Sequence, residues 1–269
     1  MNLRIGEWLF ISAQLIYMKR FQTTLRFICF IIIIIVPSLH SFAQAKVKEI
    51  NHQSQSWFSI NSTTRLTNKF GIIADLHMRR NNFAADPSFY FARIGANYWI
   101  KENITAVLGY GQMWVAPTTA NWHHFVQEHR VYQQIQMSTK IGKISLLNRL
   151  RNEQRWQEKI ANDKFTHNYK FTDRIRYLLS MTIPVFKNPK YPSLVLADEL
   201  CFHFGKEVIY NTFDQNRYFI GIKQPISKSL SFDTGYMMVF QQKASGYQYD
   251  KNQTYRLFFY YTPDLRKKK

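Results

Sequence analysis

The segment EHRVYQQIQM at residues 128–137 is followed by the turn KIGK at residues 140–143 and by ISLLNRLRNEQRW at residues 144–156. In an extended strand, successive side chains point to opposite faces. This period places four charged residues of the second arm on one face, namely Arg149, Arg151, Glu153 and Arg155. It places polar residues of the first arm on the matching face, namely Glu128, Arg130, Tyr132, Gln134 and Gln136. The two arms therefore predict a long antiparallel hairpin with one charged and one largely apolar face.

Segments of about ten residues with the same two-residue period continue on both sides of this hairpin. Apolar side chains alternate with others from Ile72 to Met78 and from Ile175 to Ile183, where helical spacing fits less well. From Trp57 onward the pattern gives eleven strands. Single-chain bacterial barrels have even strand numbers, so we expect one more strand within residues 46–56. The predicted fold is all-β, an antiparallel up-and-down transmembrane β-barrel of about 12 strands, with 10 as the alternative.

The connections between the predicted strands alternate in length. Short connections near residues 68–69 and 140–143 alternate with longer ones near residues 81–88 and 158–170. Outer-membrane barrels have this difference between their two rims. Aromatic residues near the strand ends predict the girdles that such barrels place at both membrane interfaces. They are Tyr98, Trp99, Tyr110, Trp114, Trp156, Tyr177, Tyr236, Tyr260 and Tyr261.

The N-terminus has the features of a secretory signal peptide. Basic residues precede an apolar run at residues 27–36, and small residues follow it. A basic region, a short apolar core and a small-residue cleavage site predict export, with an uncleaved anchor as the alternative. We expect the signal peptide at residues 1–43, in which residues 1–17 form an over-called start ahead of Met18.

The rest of the chain divides into an N-terminal segment at residues 44–56, a β-barrel at residues 57–262 and a basic tail at residues 263–269. The segment at residues 44–56 is where we expect the additional first strand. Composition excludes a helical membrane protein, which would carry several apolar runs of about 20 residues. The 269-residue chain has a formal charge of +19 and 16% aromatic residues. Cys29 lies in the expected signal peptide, so Cys201 has no partner for an intrachain disulfide after cleavage.

Several short motifs occur in the order in which they occur in a known family. They are Glu128-His129-Arg130, Arg149-Leu150-Arg151-Asn152-Glu153-Gln154-Arg155, Arg174-Ile175-Arg176-Tyr177, Asp198-Glu199-Leu200, Asp214-Gln215-Asn216-Arg217 and Gly235-Tyr236-Met237. Through these motifs the chain resembles the DUF2490 family of uncharacterised exported proteins of Bacteroidetes-type bacteria, over about residues 55–261. The resemblance implies an outer-membrane β-barrel and implies no particular reaction.

The arginine face of the hairpin decides which side of the predicted wall faces the interior. An arginine that faces lipid at mid-bilayer costs about 2–4 kcal/mol, so we expect this face to point into the lumen. The predicted lumen charge network consists of Glu128, Arg130, Arg149, Arg151, Glu153, Arg155, Arg174, Arg176, Glu199 and Arg217. We expect Arg93 and Asp233 to face the interior as well.

This network supports two functional hypotheses. Guanidinium–carboxylate pairs are directional and would fill a narrow barrel, which predicts a structural outer-membrane protein. The surplus of arginine over carboxylate would instead favour passive, porin-like transport of small anionic solutes.

Two further alternatives stay open: an outer-membrane lipid-modifying enzyme, and a periplasmic soluble β-barrel or sandwich that binds a ligand. For an enzyme, the candidate histidines are His77, His123, His124, His129, His167 and His203, and Ser180 and Ser231 lie on predicted strands. No nucleophile motif surrounds either serine, so no catalytic residue is predicted. His123 and His124 lack a third ligand at suitable spacing, so we expect no metal and no cofactor.

The expected partners follow from the predicted location in the outer membrane. They are outer-membrane lipid and the barrel-assembly machinery, together with small anionic solutes if the lumen is open. Nucleic acid is not expected, because the chain is predicted to be exported and its basic residues lie within strands rather than in a run.

Overall fold

The alternating segments form eleven β-strands. In the computed structural model, which describes residues 46–266, the strands are β1 (Glu49–Arg65), β2 (Phe70–Asn81), β3 (Asp86–Lys101), β4 (Ile104–Val115), β5 (Val126–Ile141), β6 (Ile144–Ala161), β7 (Lys164–Pro184), β8 (Ser193–Phe204), β9 (Phe213–Pro225), β10 (Leu230–Gln242) and β11 (Gln248–Tyr261). The expected signal peptide at residues 1–43 lies outside the described residues. No helix in the described part of the chain is long and apolar enough to cross a membrane.

The strands close into a barrel in which each strand pairs with its neighbours in sequence. All of these pairs are antiparallel except the closing one, because β1 runs parallel to β11. At one end of this closing pair Glu49 lies beside Gln248, and at the other end Ser62 lies beside Tyr261. The start of β1 and the end of β11 therefore lie at opposite rims of the barrel.

The all-β barrel is confirmed, and residues 46–266 form eleven strands, close to the predicted number of about 12. The prediction of an additional strand within residues 46–56 is wrong, because residues 49–56 form the first half of β1. The expectation assumed an even number, which a barrel closed only by antiparallel pairs requires. The parallel pair of β1 and β11 removes that requirement.

The two rims differ less in loop length than the sequence suggested. We call the rim formed by residues 66–69, 102–103, 142–143, 185–192 and 226–229 the turn rim, and the opposite rim the loop rim. The long connection expected near residues 158–170 is strand for most of its length, since β6 and β7 extend to a two-residue turn. That turn is Asn162-Asp163, with φ of 52° and 53°. Two successive residues with positive φ are typical of a tight type I′ hairpin turn, and Asn and Asp tolerate this conformation.

The two faces of the barrel wall differ sharply in chemistry. The outward positions of most strands carry exposed apolar side chains, among them Ile60, Leu76, Ile94, Leu108, Ile135, Leu150, Ile175, Ile220 and Tyr236. The inward positions carry most of the buried charged residues. On the β8–β10 side and at β1 the interior also holds an apolar cluster of Trp57, Val195, Phe219, Met237 and Val239.

Most of the aromatic residues expected in the girdle point outward, but two of them point into the barrel, and Tyr236 lies at the middle of β10 rather than near a strand end. Trp99 is buried and points into the barrel, where the guanidinium of Arg65 lies over its ring. Tyr260 also points inward, and its hydroxyl donates a hydrogen bond to Asp233. Each of these two residues lies an even number of positions from inward-facing residues of its own strand. Its side chain therefore points inward as well, although it lies near the end of the strand.

Candidate functional site

The predicted network begins at Glu128, on the inward face of β5. Its carboxylate accepts a hydrogen bond of 2.5 Å from Nε of Arg130, two residues along the same strand. Arg155 on β6 binds both carboxylate oxygens, at 2.8 and 3.0 Å. Because residues two apart on a strand share a face and β6 is the hydrogen-bonded neighbour of β5, both arginines reach one carboxylate.

Glu153 on β6 lies among four arginines from three strands. Arg176 donates to it at 2.8 Å and Arg130 at 3.4 Å. The guanidinium groups of Arg151 and Arg174 lie 3.5 and 3.9 Å from the same carboxylate. Glu153 therefore joins the arginines of β5, β6 and β7 into one group.

Glu199 on β8 continues the network around the wall. Arg176 on β7 donates to both of its oxygens, and Arg217 on β9 donates at 2.7 Å. Arg149 on β6 reaches across β7 to bind Glu199 at 2.7 Å. All ten residues predicted for the lumen charge network thus lie inside the barrel, and they form a chain of ion pairs from β5 to β9.

Interior charges that were not predicted from the sequence include Asp75, Asp214 and Arg256. Arg93 on β3, which was expected to face the interior, donates to Asp75 on β2. Arg174 of the predicted network pairs with Asp214, and Arg256 pairs with Asp233, which was also expected inside. Asp75 lies in phase with inward residues of β2, so the two-residue period alone could have identified it. Asp214 lies at a break in register between β8 and β9, where it has no partner in the strand pairing, and this break hides its phase in the sequence.

Arg79 has an aromatic environment in place of a carboxylate. Its guanidinium lies 3.2 Å from the ring centroid of Trp57 and 4.4 Å from that of Phe89. Arg217 lies 5.2 Å from the same indole ring, so Trp57 connects the charged part of the interior to the apolar cluster. Stacking on aromatic faces is one way in which arginine is accommodated away from water.

Tyr132 fills the space between two arginines of the interior. The guanidinium groups of Arg93 and Arg151 lie 5.0 and 5.1 Å from the centroid of its ring. Gly95 and Gly109 make room for this ring, because a Cβ atom at Gly109 would lie 2.5 Å from it and one at Gly95 would lie 2.8 Å from the hydroxyl. Glycine at these positions therefore serves a close approach between side chain and backbone.

Solvent hardly reaches the centre of the network. The exposed fraction is 0% for Glu128, 1% for Glu153 and Tyr132, and 2% for Arg151. Side chains that line a water-filled channel are exposed to water along it. The interior at this level is therefore packed, with charged groups in contact with one another rather than with solvent.

Comparison with known proteins assigns the chain to a family. The family model described as "Protein of unknown function (DUF2490)" matches residues 54–250. The chain belongs to the DUF2490 family. The matched range begins within β1 and ends at the start of β11, so it includes β2 to β10 in full. No curated protein matches the chain. No solved structure matches it either.

The candidate histidines of this DUF2490 chain lie in different parts of the barrel, apart from the adjacent His123 and His124. His77 and His203 point into the interior, and His129 lies on the outer wall beside Tyr110. His123 and His124 precede β5, where their backbone N–H groups donate to Asp163. His167, on β7, lies 3.4 Å from Glu158. None of them hydrogen-bonds a serine in residues 46–266, and no group of three His, Cys, Asp or Glu in that range could hold a metal ion.

The outer wall of this DUF2490 barrel contains carboxylates near the middle of strands, among them Asp173 on β7 and Asp198 on β8. Asp198 on β8 accepts a hydrogen bond of 2.7 Å from Asn216 on β9. A shallow groove of about 390 Å³ surrounds it, lined mainly by outward apolar side chains such as Leu196, Tyr218 and Tyr236. The outer wall is therefore apolar without being uniform.

Proposed function

We propose that this chain is an outer-membrane β-barrel protein of structural type, whose interior is filled by the arginine–carboxylate network. The observation that carries the proposal is the inverted distribution of polarity, with charged residues buried inside the barrel and apolar residues exposed on its outer wall. In this proposal the signal peptide directs export, and outer-membrane lipid and the barrel-assembly machinery are the partners.

The outer wall supports a location in lipid. Leu76 is 60% exposed, Ile94 58% and Leu108 60%, each on a different strand. In water, each exposed Å² of apolar surface costs about 25 cal/mol relative to an apolar environment. A closed barrel also leaves no unpaired strand edge, which is the condition for a β-sheet to span a bilayer.

The interior argues against a soluble ligand-binding barrel. Such a barrel needs an interior cavity for its ligand, and most ligand pockets are largely apolar. Here Glu128, Glu153 and Glu199 occupy the interior together with their arginines. Burying so many charges is tolerable only where each is paired, as these carboxylates are.

Passive transport of small anionic solutes is the second candidate function. Interior arginines outnumber interior carboxylates, and Arg79 has aromatic rings in place of a carboxylate. That surplus would favour anions in an open lumen. The negligible exposure of Glu128, Glu153 and Arg151 favours a closed lumen and hence the structural function.

The location is tested with a fluorescent label on single cysteines, introduced into a protein that carries Cys201→Ala. Leu76→Cys places the label on the outer wall of β2, and Glu207→Cys places it in the loop between β8 and β9. We refold each variant into vesicles of lipids with brominated acyl chains, which quench a fluorophore in contact with hydrocarbon. Strong quenching at position 76 and weak quenching at position 207 is the expected result. Equal, weak quenching at both positions would contradict a membrane location.

A further inference from the structure

A patch of amide side chains interrupts the apolar outer wall on β5 and β6. We define the amide patch as Gln133, Asn152 and Gln154, all outward-facing. Gln133 lies beside Asn152 in the register of the two strands. Gln133 and Gln154 exchange hydrogen bonds of 3.0 and 3.3 Å. The amide patch therefore joins two neighbouring strands.

Other polar side chains lie near the amide patch. Gln154 lies 3.5 Å from Asp173 on β7. Nearer the loop rim, Gln112 donates to Gln127 at 3.3 Å, and the hydroxyl of Tyr110 contacts both Gln112, at 2.9 Å, and Nδ1 of His129, at 2.5 Å. Val131 separates this second polar group from the amide patch along β5.

The amide patch lies within the apolar wall rather than above it. On the side of the turn rim it is followed along the strands by Ile135, Leu150 and Ile175, which are 55%, 53% and 42% exposed. On the side of the loop rim it is followed by Trp156 and Phe171, which are also exposed and pack against each other. A polar patch with apolar side chains on both sides is not simply the part of the barrel that projects into water.

Hydrocarbon leaves such a patch with unused hydrogen-bonding capacity. The side-chain oxygen of Asn152 is buried and accepts no hydrogen bond within the described chain. Gln133 is exposed, and each amide has two donor hydrogens and an acceptor oxygen, more than its contacts use. In lipid there is no water to satisfy these groups, and amide side chains join membrane-spanning elements for this reason.

We propose that the amide patch is the contact surface between two copies of this chain in the membrane. Amides both donate and accept, so a patch of amides is complementary to a second copy of itself, as a two-fold contact requires. A two-fold axis along the bilayer normal brings the same patch of both copies to the same depth. This inference rests on the proposed membrane location.

The contact is tested by cross-linking single cysteines under mild oxidation in lipid vesicles, each introduced into a protein that carries Cys201→Ala. Gln133→Cys lies at the centre of the amide patch, and Tyr236→Cys, on β10, lies on the opposite side of the barrel as the matched control. We expect a disulfide-linked dimer for Gln133→Cys and at least tenfold less for Tyr236→Cys. Equal cross-linking at both positions, or none at position 133, would overturn the proposal.

A second variant tests the amides themselves. Gln133→Leu combined with Gln154→Leu removes the two amides that bond each other, and we expect the protein mass measured by light scattering in detergent to fall from two copies to one. An unchanged dimer, or a monomer before the substitution, contradicts the proposed contact. Quenching of the label at Leu76→Cys reports the membrane location separately. Strong quenching without a dimer would contradict only the proposed contact, whereas weak quenching would contradict the membrane location itself.

Discussion

Glu153 is the interior carboxylate with the most guanidinium neighbours. Replacing it with glutamine keeps the size of the side chain and removes its charge, which leaves Arg130, Arg151, Arg174 and Arg176 facing one another without their shared counter-ion. We expect Glu153→Gln to lower the free energy of unfolding by roughly 3–5 kcal/mol, the cost of removing one partner of a buried pair. The measurement is a urea titration of the heat-modifiable folded band in lipid.

The matched control for this prediction is Glu207→Gln. Glu207 pairs with Lys159 at 2.9 Å, and both side chains are well exposed at the loop rim. Surface pairs contribute little because solvent screens them, so the control should unfold at the wild-type urea concentration. Equal effects of the two substitutions would show that the interior network does not support the fold.

Gly109 and Tyr132 form a second residue-scale test. A methyl group at position 109 would lie 2.5 Å from the ring of Tyr132, which is buried and cannot move aside freely. We expect Gly109→Ala to destabilise the barrel by about 1–3 kcal/mol, as overpacking does. Tyr132→Leu removes the clashing atoms, so Gly109→Ala should cost less in that background. Additive effects in the double-mutant cycle would contradict the proposed contact.

At the residue scale, the two-residue period predicted which charges face inward, because a strand fixes the phase of its side chains. It could not predict which arginine binds which carboxylate. Arg149 reaches Glu199 across β7, and that pairing depends on the curvature of the barrel rather than on spacing in the chain. The aromatic partners of Arg79 likewise come from β1 and β3, so no local pattern reveals them.

At the element scale, the parallel pairing of β1 with β11 is the least expected feature. Ser54 lies beside Gln253 in this register, so cysteines at these two positions should form an intramolecular disulfide on oxidation. Ser54→Cys with Phe259→Cys is the control, since six residues of strand separate position 259 from position 253, or about 20 Å. A faster-migrating oxidised band is expected for the first pair only. Its absence would contradict the closing register.

The Asn162-Asp163 turn holds the loop that precedes β5. The carboxylate of Asp163 accepts backbone hydrogen bonds from His124, at 2.9 Å, and from His123, at 3.0 Å. These hydrogen bonds, chiefly that of His124, hold the pKa of the Asp163 carboxyl below its usual range. A carboxyl with a lowered folded-state pKa stabilises the fold above its unfolded pKa of about 3.9, and that contribution is lost as pH falls through the folded-state value.

We therefore expect pepsin to cleave residues 116–125 faster as pH falls below about 4. Asp163→Asn keeps a residue that tolerates positive φ and removes the charge, so its loop should be cleaved rapidly at pH 5 already. The ratio of cleavage rates between the two proteins corrects for the pH dependence of pepsin. A ratio that stays constant between pH 5 and pH 2 would contradict the role of the carboxylate.

The elements themselves were largely predictable, because each strand carries the alternation that a wall with two unlike faces requires. The ends of the strands were less predictable than the strands themselves. The polar residues near positions 158–170 indicated a loop, yet β6 and β7 continue there because their backbone groups pair with each other. The strand number also depended on closure, which involves residues about 200 positions apart and leaves no local signal.

At the scale of the whole molecule, the central feature is a charged interior inside an apolar wall. The sequence indicated the two faces, and the assignment of the arginine face to the lumen rested on the cost of placing cations in lipid. Whether the interior is packed or open could not follow from the sequence, since it depends on barrel diameter and side-chain contacts. The structure packs Glu128, Glu153 and Tyr132 out of reach of solvent.

The most direct test of this account is the electrical conductance of planar lipid bilayers that contain the purified protein, after flotation with vesicles has established insertion. The account predicts inserted protein without stable conductance steps, because the arginine–carboxylate network fills the lumen. Stable, anion-selective steps from the wild-type protein would contradict a packed interior and would favour transport of small anionic solutes instead.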